Sequence, residues 1–263
     1  MEATSFSTIH LLVEDYYILS VLMKVPYLVG IADPFAGMLA GEAEPITQDS
    51  IVRLKGSGIL IDLPGGEITM DPAYANIFDS LTSARKIVTV TRYIFFRGEV
   101  TRYIHVGTPF YVEMETMPSG HVELSVYQDS TYLEPRLLNF LRLPNVEQDN
   151  TPEIQLSRKV WEEARQLALS NELVKCTELF IQAEIGSETA AVLASVMLED
   201  SNSGSITVFG KYGNQFRVES QSGWVATEQA LWKIGVTNND IHLSPVTKIK
   251  IEEEIRKNLQ TVT

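Results

Sequence analysis

Residues 87–126 read IVTVTRYIFF RG EVTRYIHVGTPF YVEMET MPSG HVELSV, and this stretch decides the fold. Residues 87–96 are β-branched and aromatic, the side chains that suit a pleated, half-buried surface. Arg97-Gly98 supplies a turn, and residues 100–106 return. Residues 110–117 make a third strand, with Phe110, Val112 and Met114 alternating against Tyr111, Glu113 and Glu115. Pro118-Ser119-Gly120 turns into a fourth, which carries Val122, Leu124 and Val126 on one face. Four consecutive strands on tight turns predict an antiparallel sheet.

On the N-terminal side, residues 7–11 alternate as a short extended run. Residues 14–25 predict a helix with Tyr17, Val21 and Leu22 on its apolar face, stopped by Pro26. Residues 29–45 are rich in Gly, Ala and Pro and read as a loop. Thr47 caps an expected helix to about Lys55, with Ile51 and Leu54 turned inward. Pro64-Gly65-Gly66 joins a small hairpin, and Asp71-Pro72 opens a helix faced by Ile77, Phe78 and Leu81. Beyond the four strands, Leu137, Leu138 and Leu141 stripe a helix with Pro135 in its first turn, ended by Pro144.

The order then returns. Residues 145–152 are a polar linker. Residues 153–156 are extended, and Ser157 caps a helix faced by Val160, Ala164, Leu167 and Ala168. Helices over 172–184 and 187–198 precede strands at 206–209, 215–219, 225–234 and 241–243. Ser244-Pro245 signals a last helix, lined by Ile251, Ile255 and Leu259. From the first of the four strands onward, the halves superpose at an offset of about 118 residues, which lays Leu137 on Ile255 and Leu141 on Leu259. The expected fold is α+β with a quasi-two-fold repeat. Each half has helices and a four-stranded antiparallel sheet, 1–144 and 153–263 about the 145–152 linker, in one compact domain.

Composition narrows the function. The 263 residues are 44% hydrophobic, enough for a sizeable core, and carry a formal charge of −13. That charge speaks against nucleic acid and anionic membranes as partners. Cys176 is the only cysteine, so no internal disulfide forms; it reads as a small apolar filler on a helix. The N-terminus lacks the pattern of a signal peptide, and cytoplasm is the expected location. His10, His105, His121 and His242 have no catalytic or metal motif around them, and no phosphate-cradling glycine loop is present. No enzyme, metal site or cofactor is therefore expected. Glu113 and Glu115, Glu162-Glu163 and the run 252–254 read as solvated faces, and Trp161, Trp224 and Trp232 as core.

Helix, Lys55-Gly56-Ser57-Gly58, hairpin and helix together suggest a second reading, a winged-helix transcriptional regulator with a sensor half. A DNA reader needs basic side chains on its second helix and wing. Residues 61–74 carry Asp62, Glu67 and Asp71 and no base, which favours a purely structural wing.

Nearly the whole chain resembles the EspG family, the cytosolic chaperones of type VII (ESX) secretion. The resemblance lies in the opening strand, acidic helix start and proline stop over 7–26, the helix ending at Gly58-Ile59-Leu60, and the helix entering the first long strand. In the second half it lies in Gly186-Ser187-Glu188-Thr189-Ala190-Ala191, in 204–219, in Trp224 to Trp232, and in Leu243-Ser244-Pro245. The family's Gly-Arg-Tyr phrase in the second half is replaced here around Thr227-Glu228 and Leu231-Trp232, and its Pro-Ala-Asp by Pro245-Val246-Thr247. The resemblance implies a quasi-two-fold fold and a protein client, a PE/PPE-like helical heterodimer or a related secreted helical protein, bound near its tip by a monomer or weak dimer.

The candidate partner-binding residues come from the chain itself. The hairpin tip offers Phe96, Arg97, Gly98 and Glu99, an aromatic and an arginine of the kind enriched in binding hot spots. The helix over 187–198 adds Leu193 and Met197, with core burial expected for at least one of them.

Overall fold

The strands of both halves merge into one sheet. A computed structural model describes residues 7–25, 29–94, 98–146, 152–198, 203–213 and 215–260. The first half runs β1 (Ser7–Leu12), α1 (Val13–Leu22), α2 (Ala40–Gly56), β2 (Leu60–Asp62), β3 (Ile68–Met70), α3 (Pro72–Ser83), β4 (Lys86–Ile94), β5 (Gly98–Val106), β6 (Tyr111–Thr116), β7 (His121–Tyr127) and α4 (Ser130–Leu141). The second runs β8 (Ile154–Ser157), α5 (Arg158–Leu169), α6 (Leu173–Gln182), α7 (Ser187–Leu198), β9 (Gly204–Tyr212), β10 (Gln215–Ala226), β11 (Leu231–Val236), β12 (Asp240–Pro245) and α8 (Lys248–Leu259).

Ten strands pair antiparallel in the order β1-β7-β6-β5-β4-β9-β10-β11-β12-β8, while β2 and β3 form a separate hairpin. The expectation of four strands per half is one short. The brief opening runs also join, β1 against β7 and β8 against β12, so each half gives five. The halves meet at β4 and β9, in register from Lys86–Gly210 to Arg92–Gly204.

The period-2 alternation of the strands assigns each residue to one of two faces. One face packs Val88, Val90, Ile104, Ile206, Val208 and Trp224 beneath Leu133, Leu137 and Leu141 of α4 and Ile251, Ile255 and Leu259 of α8. Both halves share this core. The other face carries two separate cores. One joins Val112, Met114, Val122 and Leu124 to α1–α3; the other joins Val225, Trp232, Ile241 and Leu243 to α5–α7. Lys86 Nζ donates to the carbonyls of Asn258 and Gln260 at 3.2 Å, placing a cation at the carbonyl end of α8.

Several local expectations change. Helix α1 buries Tyr16, Ile18 and Leu19, and Val21 and Leu22 are 60% and 50% exposed. The buried face is set by Asp15, which accepts from Arg53 Nη2 of α2 at 2.7 Å and orients the helix. Helix α2 starts well before Thr47, at Ala40, because Glu42 accepts the Leu39 N–H at 2.9 Å; Thr47 Oγ1 instead donates back to Ala43 O. Pro45 lies inside this helix, and Pro135 lies inside α4, whose cap is Asp129. In the second half β10 extends to Ala226, because Thr227 Oγ1 accepts from the amides of Gln229 and Ala230 and closes a turn there. The expected caps Asp71 and Ser157 hold their helices as predicted.

The seam depends on a bare backbone at Gly204. A Cβ there would lie 2.3 Å from Thr91 O and 2.5 Å from Trp224 Cζ2. Gly204→Ala is expected to destabilise the fold by about 1–3 kcal/mol through overpacking, measured by urea denaturation. A change below a few tenths would mean that the two strands can part freely.

Candidate binding site

Tyr93, near the end of β4, donates its N–H to Ser203 O at 3.0 Å. Ser203 follows α7 by a short connection. The β4–β5 hairpin and the C-terminal end of α7 therefore lie at the same end of the sheet. Phe96 and Arg97 fall outside the described residues. Gly98 has φ +79°, a left-handed conformation open to glycine, and Glu99 is exposed at the start of β5, opposite Tyr93. Leu193 is fully buried among α5–α7 and the sheet, so the core fate applies to it and it presents no surface to a partner. Met197 is partly buried against the same core. On the neighbouring helices, Leu169, Val174 and Ile181 stand 58%, 73% and 45% exposed; Val174 and Ile181 share one face of α6.

Sequence reading missed a cluster on the α4 side of the sheet. Glu113, expected on a solvated face, is only 2% exposed. It accepts from Arg102 Nη1 at 2.8 Å and Tyr127 Oη at 2.7 Å, and pairs with Arg136 Nε at 2.9 Å. Arg102 reaches Glu115 at 3.2 Å, and Arg136 reaches Glu123 at 3.1 Å. The Arg102 guanidinium also lies over the Phe140 ring, 4.4 Å from its centre. Burial, reinforced by the Glu113 carboxylate, raises the Tyr127 phenol above its usual range. Arginines from β5 and α4 cover Glu113, and an alternating strand pattern shows none of this. One signal was available: pairing the two arms about the 107–109 turn sets Arg102 opposite Glu115, unlike charges on one face.

The remaining chemistry is sparse. His105 on β5 is buried, both ring nitrogens lack a hydrogen-bond partner, and burial pushes the imidazole down to about 4. Cys176 is buried, its thiol pushed up by burial and donating weakly to Ala164 O. Among the described residues no His, Cys, Asp and Glu group could hold a metal ion, and no helix is long and apolar enough to cross a membrane. In the wing-like segment, both basic residues in the last turn of α2 are engaged: Arg53 with Asp15, and Lys55 with Asp62 at 2.5 Å.

The overall arrangement has a solved counterpart. The chain is similar in fold to the Mycobacterium tuberculosis type VII secretion system chaperone EspG5, solved in complex with a PE25-PPE41 dimer. The match has a TM-score of 0.61 and covers 98% of this chain and 97% of the other. Sequence identity is 10%, so the likeness is one of fold. No family model matches the chain, and no curated protein sequence matches it.

Proposed function

We propose that this chain is a non-enzymatic, cytoplasmic secretion chaperone that binds a helical protein client of the PE–PPE type. The observation that carries this reading is the EspG5-like fold over nearly the full length of both chains, in a neighbour solved with a PE25-PPE41 dimer. The surface chemistry supports it. A preformed, partly apolar surface suffices to hold one client, and the exposed Val174 and Ile181 of α6 provide apolar area.

The proposed contact surface is the hairpin tip, Phe96 to Glu99, with Met197 and the exposed face of α6. Replacing Phe96 and Arg97 together by Ala is expected to weaken the complex tenfold or more, about 1.4 kcal/mol per decade, with the melting temperature nearly unchanged. Unchanged affinity would discard the tip as a site, and a collapsed melting temperature would mean that Phe96 serves the core.

The quasi-two-fold relation is part of the same proposal, with halves 1–144 and 153–263. An offset of 118 carries β4 (86–94) onto β9 (204–212) and α4 (130–141) onto α8 (248–259). The strand order also reads inward in the same way from either edge. β6 (111–116) meets β11 (231–236) at an offset of 120, and one ion pair then supports the relation with its charges exchanged: Arg136 of α4 holds Glu113 of β6, and Glu254 of α8 holds Lys233 of β11 at 2.8 Å.

Co-expression with a PE–PPE-type heterodimer from the same organism tests the function. A complex with one copy of each chain, co-eluting on size exclusion, is the expected result. Separate elution of the folded partners would overturn the reading.

A further inference from the structure

A cleft of about 740 Å³ opens between α4 and the first-half side of the sheet. Its size falls in the range of small-molecule sites. Four arginines line it: Arg92 from β4, Arg102 from β5, and Arg136 and Arg142 from α4 and its C-terminal cap. Among the described residues, no carboxylate side chain lines it. Glu113, Glu115 and Glu123 lie behind the wall, where they hold the Arg102 and Arg136 guanidiniums in place. The carboxylates fix the geometry of the guanidiniums, and the cleft-facing side keeps their charge.

Three details point the wall at a ligand. Arg102 is clamped from three sides, by Glu113, Glu115 and the Phe140 ring, which preorganises its guanidinium. Arg142 sits at φ +50°, a left-handed position where a helix normally ends on glycine or asparagine. A residue with a Cβ held there costs about 1 kcal/mol or more, and the wall gains an exposed guanidinium from it. Ser125, Tyr132 and Asn139 add neutral hydrogen-bonding groups to the lining. At the matching place in the second half, the Glu254–Lys233 pair and Ser222 stand where the first half has arginines and a glutamate, so the basic wall belongs to one half only.

We propose that this cleft binds a small oxyanion-bearing molecule, a carboxylate or a phosphate ester, through the Arg92, Arg102, Arg136 and Arg142 guanidiniums. Guanidinium forks pair with carboxylate and phosphate oxygens two at a time, and shape as well as charge then selects the ligand. The cleft lies on the α4 face of the sheet, opposite α6 and α7, and does not depend on that reading.

Titration calorimetry and thermal melts of the full chain at low ionic strength, with citrate and inorganic phosphate as probes, test the proposal. Saturable binding with a rise in melting temperature is expected for at least one probe, and none for chloride at equal ionic strength. Arg142→Glu should weaken binding tenfold or more while leaving the ligand-free melting temperature unchanged. Arg217→Glu, the same charge change on an exposed arginine of β10, should leave binding unaltered. Two results would overturn the proposal: neither probe binding at millimolar concentration, or the two variants weakening it equally.

Discussion

Replacing Glu113 by Ala is expected to cost about 3–5 kcal/mol of folding stability, the range for breaking a buried ion pair by removing one partner. Glu113 is 2% exposed and Arg102 15%, so water screens their contact little. The Arg136 contact is discounted, because that side chain is 41% exposed. Tyr127 Oη would also lose its bond to the Glu113 carboxylate. Glu115→Ala is the control. Its carboxylate pairs with Arg102, it is itself 16% exposed, and its loss should cost about 1 kcal/mol or less. Urea denaturation of the two variants separates them. A Glu113→Ala loss no larger than that of Glu115→Ala would mean that the cluster is not the keystone of the α4 face.

The second large effect is a pH dependence centred on His105. Its imidazole titrates near 4 in the folded protein, against 6.5 for the free side chain, because burial penalises the charged form. Between those values the unfolded chain binds a proton and the folded chain does not. The contribution to stability is therefore complete above pH 6.5 and is lost as pH falls toward 4. Integrated from pH 7 to pH 5, the loss is about 2 kcal/mol, and it approaches about 3 kcal/mol below pH 4, at about 1.4 kcal/mol per pH unit. His105→Leu should remove this part of the slope. It should also hold or raise stability at pH 7, since two buried nitrogens without partners disappear. Wild type and variant losing equal stability between pH 7 and pH 5 would contradict the assignment.

These two residues also show where the sequence was legible. Local patterns placed β4–β7, β9 and β12 because alternation and turn residues act over a few positions, but the expected 225–234 strand contains the Thr227–Ala230 turn between β10 and β11; they placed α3 and α8 because single apolar stripes face one core. Glu113 defeated the same logic. A charged side chain on an alternating strand reads as solvent-facing, and only a distant element buries it: α4 closes over Glu113. His105 carried no signal of exposure or burial in its local pattern, and α3 packs behind β5 and β6. Helix α1 failed for a related reason. Its residues are apolar on both sides, so the pairing of Asp15 with Arg53, 38 positions on, selects the buried face. Of the candidate client site, Phe96 and Arg97 lie outside the described residues, and Leu193 went to the core. The arginine cleft was illegible as a unit, since its wall draws on β4, β5 and α4 and on a left-handed cap no local pattern announces.

The central claim is that this EspG5-like fold holds a helical client. Titration calorimetry of the full chain against the purified heterodimer proposed as its client tests it most directly. The account predicts one binding event per heterodimer, with a dissociation constant of roughly micromolar or tighter. No heat of binding at tens of micromolar, with both partners folded, would contradict it.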